Sequence, residues 1–289
     1  MTASITWVVL TMGNRPHEFS RLLDSLADQP GRILVVDQSG DRPSPDLVRQ
    51  ATDERIEVIR PTSNLGVPGG RDLAARQVGD GLVVFLDDDA TLTTHDAAMR
   101  IKNALDSETA PAAISFKIVD QEGHVSRRHV PGIGRIDPDR DRTVPYFLGG
   151  ASAVRFDAYA SAGGYWPDLF YGHEELDLAW RIADDGGRIE YRPDIVVEHP
   201  RTNIGRHEHG WYLTGRNRVM VARRNLPWAI ALPHVLAWLA IGSLRARADD
   251  SVRPYVSGWR RGWSVDVPRR PIRWSTVIRI GRAGRFPVV

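Results

Sequence analysis

Short apolar segments alternate with segments of helical periodicity along the first 120 residues. Four apolar runs are rich in β-branched residues and short, which is typical of buried strands. They span residues 5–11, 33–36, 56–59 and 82–86. Between the first two runs, Phe19, Leu22 and Leu26 recur at helical spacing and predict a helix over residues 18–27. Strands joined by helices of about ten residues predict βαβ units, and therefore a doubly wound α/β fold with a mostly parallel sheet flanked by helices.

The pattern changes beyond residue 120. Short apolar segments and loops reach residue 154, and a helix is predicted from about 174 to 185, where two glycines end it. Strands at 188–191 and 195–198 and a helix at 211–225 are expected next. Residues 228–244 are the most apolar stretch and are at the short limit for a bilayer span. We predict that this stretch forms a helix on the protein core or on a membrane surface.

The composition limits the chemistry that this protein can use. The 289-residue chain has no cysteine, which excludes disulfides, zinc–thiolate sites and thiol catalysis. The net charge is only +2, but residues 245–289 carry 11 arginines and three acids. This basic segment suits an anionic membrane or a phosphorylated substrate, and a solvated surface is an equal alternative. The chain shows no secretion signal, so we expect a cytoplasmic protein, peripheral on the cytoplasmic face of the membrane if residues 228–289 contact it.

Three consecutive aspartates, Asp87, Asp88 and Asp89, follow the apolar run 82–86 directly. Carboxylates this close cannot all stay ionised without a positive partner. At the carboxyl end of a central parallel strand they lie where open α/β sheets bind ligands. Mg²⁺ or Mn²⁺ on a phosphorylated substrate is therefore the predicted partner, although acids that only cap a turn or a helix are the simpler alternative.

Two common ways of binding nucleotides are missing from the sequence. A P-loop requires a lysine after its glycine-rich turn, and neither Lys102 nor Lys117 lies in such a loop. The dinucleotide-binding glycine motif is also absent after the first strand. What remains is metal-assisted binding of a nucleoside diphosphate, with Asp37 at the end of the second strand and a glycine-rich loop containing Asn64 and Arg71.

A second group of acids, Glu174, Glu175 and Asp177, opens the helix predicted at 174–185. Acids are common in a first helical turn because of the helix dipole, so the group could be structural. Helical spacing places Glu175 on the apolar face, and the helix N-terminus favours its ionised form, as a general base requires. Asp177 should instead pair with Arg181. The preceding aromatic loop, with Trp166, and His173 suit contacts to an acceptor sugar.

Several ordered motifs together resemble glycosyltransferase family 2, whose members have the GT-A fold. The resemblance covers about residues 4 to 225. It rests on segments 8–16, 35–37, 64–71, 85–89, 147–150 and 172–178, followed by His199. It implies a Rossmann-like GT-A domain over 1–225, with a nucleotide-binding half at about 1–120 and an acceptor half at about 121–225. Residues 226–289 would form a helical, arginine-rich extension.

The resemblance also implies roles for individual residues. Those implied to hold the nucleotide sugar are Thr11, Asp37, Asn64, Arg71, Asp87, Asp88, Gly149 and Gly150. Asp87, Asp89 and His199 would hold the metal. Glu175 stands where the family usually has a catalytic aspartate, so its reach is one methylene longer and Glu174 remains an alternative base. His207 and His209 are candidates for closing over the donor.

The implied activity is inverting transfer of one sugar from a UDP-, GDP- or dTDP-sugar to an acceptor hydroxyl, which the apolar and basic C-terminal segment suggests could be lipid-linked. No nucleic-acid partner is expected. One alternative is a sugar nucleotidyltransferase, but its N-terminal glycine-rich signature is absent. Another is a non-catalytic protein of the same fold that docks to membrane or nucleic acid, yet all the expected carboxylates are present.

Overall fold

The computed structural model describes residues 3–40, 53–107, 109–132, 136–200 and 209–288. The strands are β1 Ile5–Thr11, β2 Arg32–Asp37, β3 Ile56–Ile59, β4 Leu82–Asp87, β5 Thr91–Leu92, β6 Ala113–Val119, β7 Arg142–Thr143, β8 Ala151–Arg155 and β9 Ile189–Glu198. The helices are α1 Pro16–Leu26, α2 Gly66–Ala75, α3 Ala97–Leu105, α4 Phe156–Ser161, α5 Glu174–Asp184, α6 Gly210–Asn225, α7 Trp228–Ala246, α8 Val252–Ser264 and α9 Trp274–Arg282.

The strands form one sheet in the order β3-β2-β1-β4-β8-β6-β9-β5, with β7 paired to β9. Strands β1 to β4 are parallel, whereas β8 runs antiparallel between β4 and β6. The predicted α/β fold is confirmed, but the sheet as a whole is mixed because β8 reverses its direction. The two strands expected at 188–191 and 195–198 are one strand, β9, whose pairing with β6 shifts register between Phe116 and Lys117.

The strand order determines where the polar side chains meet. The carboxyl ends of β1, β2 and β4 share one edge of the sheet, which brings Thr11, Asp37 and Asp87 to that edge. Because β8 is antiparallel to β4, its first residue, Ala151, lies opposite Leu86. Gly149 and Gly150 therefore lie beside the end of β4.

Apolar side chains pack on both faces of the sheet. Trp7 and Val9 face one cluster, and Val8 faces the other, as alternation along a strand requires. A third cluster joins Trp180 of α5 and Val219 of α6 to Val235 of α7 and Val277 of α9. The C-terminal helices thus share a core with the helices before residue 225, and the domain boundary at that point stays a prediction.

Asp177 ties α5 to α6. Its buried carboxylate lies 2.6 Å from the Arg181 Nη2 atom, as the helical spacing predicted, and 3.0 Å from Arg224 Nη1. The side-chain amide of Asn225 donates a further hydrogen bond of 2.7 Å to it. Asp177 is thus buried and bonded to three side chains of α5 and α6, which makes its role structural.

Candidate active site

The first acidic group and His199 converge at the carboxyl edge of the sheet. His199 follows β9, and its Nε2 atom lies 3.1 Å from Asp89 Oδ1 and 3.4 Å from Asp87 Oδ2. One ligand atom from each of Asp87, Asp89 and His199 lies within 4.8 Å of the others. Two carboxylates and one imidazole form a donor set that suits Mg²⁺ or Mn²⁺.

Asp88 faces different partners from those of its neighbours. Its carboxylate accepts a hydrogen bond of 2.8 Å from the Thr11 hydroxyl and one of 3.0 Å from Arg15 Nη1. Arg15 also forms an ion pair with Asp89. Arg15 therefore links two of the three aspartates, a role that was not predicted from the sequence.

The charges in this group are strongly interdependent. Burial alone would raise the pKa of Asp87, but Arg71 and His199 outweigh it and hold that pKa well below its usual range. The pKa of Asp89 is also lowered, because His199 offsets the effect of burial. Burial raises the pKa of Asp88 to about 6 despite its bonds to Thr11 and Arg15. Asp87 and Asp89 are thus the two carboxylates held ionised, as metal ligands must be.

Arg71, in α2, connects the two acidic groups. Arg71 is 3% exposed, and its Nη2 atom lies 2.6 Å from Asp87 Oδ1. Its Nη1 atom lies 3.6 Å from Glu174 Oε1. The sequence predicted that Arg71 would contact the nucleotide, but the structure places it behind Asp87, toward the glutamates.

Gly149 and Gly150 make room for these charged groups. A Cβ atom at Gly150 would lie 2.1 Å from Asp87 Oδ2, and one at Gly149 would lie 2.4 Å from both Arg71 Nη1 and Glu175 Oε1. These distances are far below a van der Waals contact. The two glycines were predicted to bind the nucleotide sugar, whereas the geometry requires them because Asp87, Arg71 and Glu175 occupy the space where side chains would be.

Replacing Gly150 with alanine is expected to displace the Asp87 carboxylate without unfolding the protein. Arg71 and His199 hold Asp87 in place, so the added methyl group should weaken Mn²⁺ binding by about tenfold or more, as loss of ligand orientation does elsewhere. Isothermal titration with Mn²⁺ measures this, and the matched control is Gly281→Ala in α9, where the atoms nearest to the added Cβ belong to the half-exposed Phe286 side chain. Equal Mn²⁺ affinity for Gly150→Ala and the unaltered protein would contradict the expectation.

A groove of about 1020 Å³ opens beside the three aspartates. The predicted residues that line it are Thr11, Asn64, Asp87, Asp88, Asp89, His199 and His209. Asp37 is not among them: its buried carboxylate accepts bonds from Arg60 Nε, at 3.2 Å, and from the Ser39 backbone N–H. The next residue, Gln38, lines the groove instead and binds the backbone of Leu65. His207 lies outside the described residues.

A second cavity of about 370 Å³ contains the second acidic group. Glu174, Glu175 and His173 line it, and it meets the groove at Asp87 and Tyr171, which line both. Another part of its wall comes from α6, α7 and α8 and includes the C-terminal residues Trp238, Gly242, Arg245 and Tyr255. The sequence did not predict this contribution, because residues 226–289 were interpreted as an appendage.

Glu174 and Glu175 differ in their surroundings. Glu174 is 3% exposed, faces Arg71 and has one carboxylate oxygen with no hydrogen-bond partner among the described residues. Glu175 is partly exposed and lies against Gly149. Burial raises the pKa of both groups, contrary to the expectation that the helix N-terminus would favour the ionised form of Glu175. A carboxylate with a raised pKa remains suited to general base catalysis near neutral pH.

The structure does not place Trp166 in either cavity. Its ring is 7% exposed, packs in the core cluster with Trp180 and lies 4.5 Å from the Arg224 guanidinium carbon. The predicted stacking of Trp166 on an acceptor sugar is therefore corrected: this ring holds the loop against the core. His173 does line the second cavity, and it directly precedes α5 in a left-handed conformation with φ of 71°.

Comparison with known proteins shows which proteins this chain resembles. The chain is 26% identical over 209 residues to the pre-mycofactocin glycosyltransferase of Mycobacterium tuberculosis, which is 66% of this chain and 42% of that relative. It thus spans less than half the length of the curated relatives it matches.

Solved structures show the same fold. GalNAc-T7 with UDP, GalNAc and Mn²⁺ has a TM-score of 0.64 at 15% identity, over 92% of this chain and 55% of that one. The Pyrobaculum calidifontis mannosyltransferase PcManGT with GDP-Man and Mn²⁺ has a TM-score of 0.57 at 17% identity, over 98% and 79%. The sequence model of glycosyl transferase family 2 matches residues 7–162, more than half of the chain. The protein therefore belongs to glycosyltransferase family 2.

Proposed function

We propose that this protein is an inverting, metal-dependent glycosyltransferase that moves a sugar from a nucleotide sugar to an acceptor hydroxyl. The observation that carries the proposal is the meeting of two spaces at Asp87. The larger groove, beside the aspartates and His199, suits a donor diphosphate. The second cavity, with its glutamate pair, suits the acceptor.

The aspartate–histidine group fits a divalent cation. Asp87, Asp89 and His199 would hold the ion, whose positive charge would stabilise the diphosphate leaving group. Arg15 and Arg71 neutralise the aspartates from the protein side, so the carboxylates keep fixed positions. The related structures hold Mn²⁺ with UDP or GDP-Man, which supports Mn²⁺ or Mg²⁺ here.

The reaction requires a base beside the acceptor, and we assign this role to Glu175. Its carboxylate is partly exposed in the second cavity, whereas Glu174 is buried against Arg71. Glu175 accepts the proton of the acceptor hydroxyl, and the hydroxyl oxygen bonds to the anomeric carbon. The bond from that carbon to the diphosphate oxygen breaks on the opposite face, and the nucleoside diphosphate leaves with its electron pair.

A binding measurement identifies the nucleotide base of the donor sugar. A UDP-, GDP- or dTDP-sugar at 100 times its dissociation constant stabilises a protein by about 2.7 kcal/mol. We therefore expect a rise in the melting temperature by several degrees with one nucleotide sugar plus Mn²⁺, and none with the sugar alone. A thermal-shift screen measures this. No shift with any of the three nucleotides would overturn the proposed function.

The other two functions are less well supported. Family membership favours sugar transfer over nucleotidyl transfer. A purely docking protein would not need an ionised aspartate pair, a histidine and a buried glutamate pair around two connected spaces.

We also propose that residues 228–289 contact the membrane surface. Seven of the ten exposed large apolar side chains of the described residues lie in this segment. They are Trp228, Leu232, Leu236, Leu244, Trp274, Ile278 and Phe286. The first three recur every four residues on α7 and form one stripe. Trp228–Asp249 is long and apolar enough to cross a bilayer, but core helices pass the same test and α7 buries Val235 and Trp238 in the protein.

Replacing Leu232 and Leu236 together with glutamate is expected to abolish binding to anionic vesicles. Both side chains are about half exposed, at 47% and 58%, so the fold should tolerate the change. Each substitution removes apolar burial worth about 1.5–3 kcal/mol and adds a repelled charge. Co-sedimentation with vesicles of phosphatidylglycerol and phosphatidylcholine measures binding, and the matched control is Met99→Glu, at an exposed side chain of α3 outside residues 228–289. Undiminished binding of the double variant would exclude this stripe as the docking surface.

A further inference from the structure

Arginines surround one tryptophan at the wall of the second cavity. The guanidinium carbon of Arg218 lies 3.9 Å from the centre of the Trp238 ring, and those of Arg245 and Arg285 lie 5.3 Å from it. The three come from α6, from α7 and from the C-terminal segment after α9. These arginines are far apart in the sequence, and only the folding of the chain brings them together.

Two of these arginines have no anionic partner among the described residues. None of the carboxylates that the structure describes lies within ion-pairing distance of Arg218 or Arg245, whereas Arg71, on the same cavity, pairs with Asp87 and Glu174. Burial, together with the positive charge of Arg285 and Arg245, lowers the pKa of Arg218 to about 9. Arg245 is exposed, whereas Arg218 is partly buried, and a partly buried cation beside other cations is unfavourable unless something negative joins it.

Hydrogen-bond donors in the same place are also unused. Among the described residues, Arg218 Nε, Trp238 Nε1 and both ring nitrogens of His173 are buried and have no hydrogen-bond partner. A buried donor without a partner costs about 1–3 kcal/mol. Burial and neighbouring cations hold the pKa of His173 well below its usual range, so its neutral ring still offers one N–H. Unpaired donors and unpaired cations on one cavity wall are complementary to an oxygen-rich anion.

We propose that Arg218 and Arg245, with Trp238 and His173, bind a phosphate group of the acceptor. A phosphate dianion suits two guanidinium groups better than a single carboxylate does, because it offers more oxygens and more charge. This inference rests on the proposed function and names the acceptor class. Phosphate binding would hold the acceptor in the cavity that Glu175 also lines, so that its hydroxyl remains near the base.

The phosphate could belong to a lipid or to a soluble ester, and binding measurements separate the two. The probes are methyl phosphate and decyl phosphate, the latter below its micelle concentration, titrated calorimetrically in EDTA so that no metal-bound donor site competes. We expect the unaltered protein to bind both probes. Tenfold or tighter binding of decyl phosphate would assign a lipid phosphate, and equal binding would assign a soluble ester.

Substitution tests the arginines directly. Arg218→Gln combined with Arg245→Gln should weaken methyl phosphate binding at least tenfold, and Arg218→Lys should weaken it less because it keeps the charge. The control is Arg247→Gln with Arg253→Gln, two exposed arginines outside the cavity, which should change binding less than twofold. If the double variant does not fold, Arg245→Gln alone applies the test, because that side chain is exposed.

The outcomes distinguish the two proposals. No binding of either probe to the unaltered protein, or equal binding to the arginine double variant, would overturn the phosphate assignment. Hydrolysis of a nucleotide sugar by the unaltered protein with Mn²⁺ is measured separately and does not require an acceptor. If hydrolysis and donor binding both fail while methyl phosphate still binds through Arg218 and Arg245, the proposed function fails and the anion site stands.

Discussion

Replacing Asp89 with asparagine is expected to reduce metal-dependent turnover of the nucleotide sugar by a factor on the order of 100 to 1,000, as loss of one preorganised electrostatic group does in other enzymes. Asp89 is 4% exposed, and its carboxylate lies between His199, at 3.1 Å, and Arg15. Asparagine has nearly the same shape as aspartate, but it lacks the negative charge that pairs with His199 and Arg15. Release of nucleoside diphosphate at saturating Mn²⁺ measures the loss.

The control for Asp89 is Glu122→Gln. Glu122 belongs to a second group of potential metal ligands with Asp120 and His124, and it is exposed. There, Asp120 accepts backbone hydrogen bonds from Glu122 and His124, which accounts for the grouping as a loop turn. We expect Glu122→Gln to retain full turnover. Equal loss in both variants, or turnover of Asp89→Asn that Mn²⁺ still stimulates fully, would remove the metal role from Asp89.

The sequence predicted the elements whose evidence is local. Short β-branched runs identified β1 to β4, and the acids at the end of β4 lie where such a sheet binds ligands. The antiparallel direction of β8 was not predicted, because a short strand in a loop-rich region carries no local mark of its direction. Gly149 and Gly150 are brought beside Asp87 only through that pairing.

Residues whose partners are far away in sequence were predicted less well. Arg15 pairs with carboxylates more than 70 residues away, and its own neighbourhood suggests only a turn before a proline. Trp166 belongs to an aromatic loop that could equally face a sugar or a core, and only the packing of α5 against α6 decides between them. The wall of the second cavity required α7 and α8 to fold back onto α6, which apolar periodicity does not reveal.

Helix α7 contributes both to the proposed membrane-binding surface and to the proposed acceptor site. Trp238 and Arg245 face the cavity that holds Glu175, whereas Leu232 and Leu236 of the same helix are exposed. One helix could therefore place the protein at a membrane surface and shape the acceptor site. Removal of residues 228–289 would delete the membrane-binding stripe and part of the acceptor cavity, and it would also remove part of the hydrophobic core that these residues share with α5 and α6. Point substitutions therefore separate the two roles better than truncation does.

Replacing Glu175 with glutamine is expected to reduce sugar transfer by a factor on the order of 100 to 10,000, the usual range for loss of a general base. Binding of the nucleotide sugar should stay within about threefold, since the groove beside the aspartates is lined by other residues. Transfer is measured at saturating donor and acceptor, and donor binding by calorimetry. Because burial raises the pKa of Glu175, activity should increase as the pH rises through that raised pKa, where the base becomes ionised.

Glu174→Gln provides the comparison that assigns the base. Glu174 lies 3.6 Å from Arg71 and is more deeply buried, so its replacement should disturb Arg71 and Asp87 and weaken donor and Mn²⁺ binding along with transfer. Glu54→Gln, an exposed residue in the turn before β3, should change neither. Full transfer by Glu175→Gln would end its assignment as the base. If Glu174→Gln lost transfer and kept normal donor and metal binding, Glu174 would be assigned as the general base. Glu175 would then act only through its charge beside Glu174.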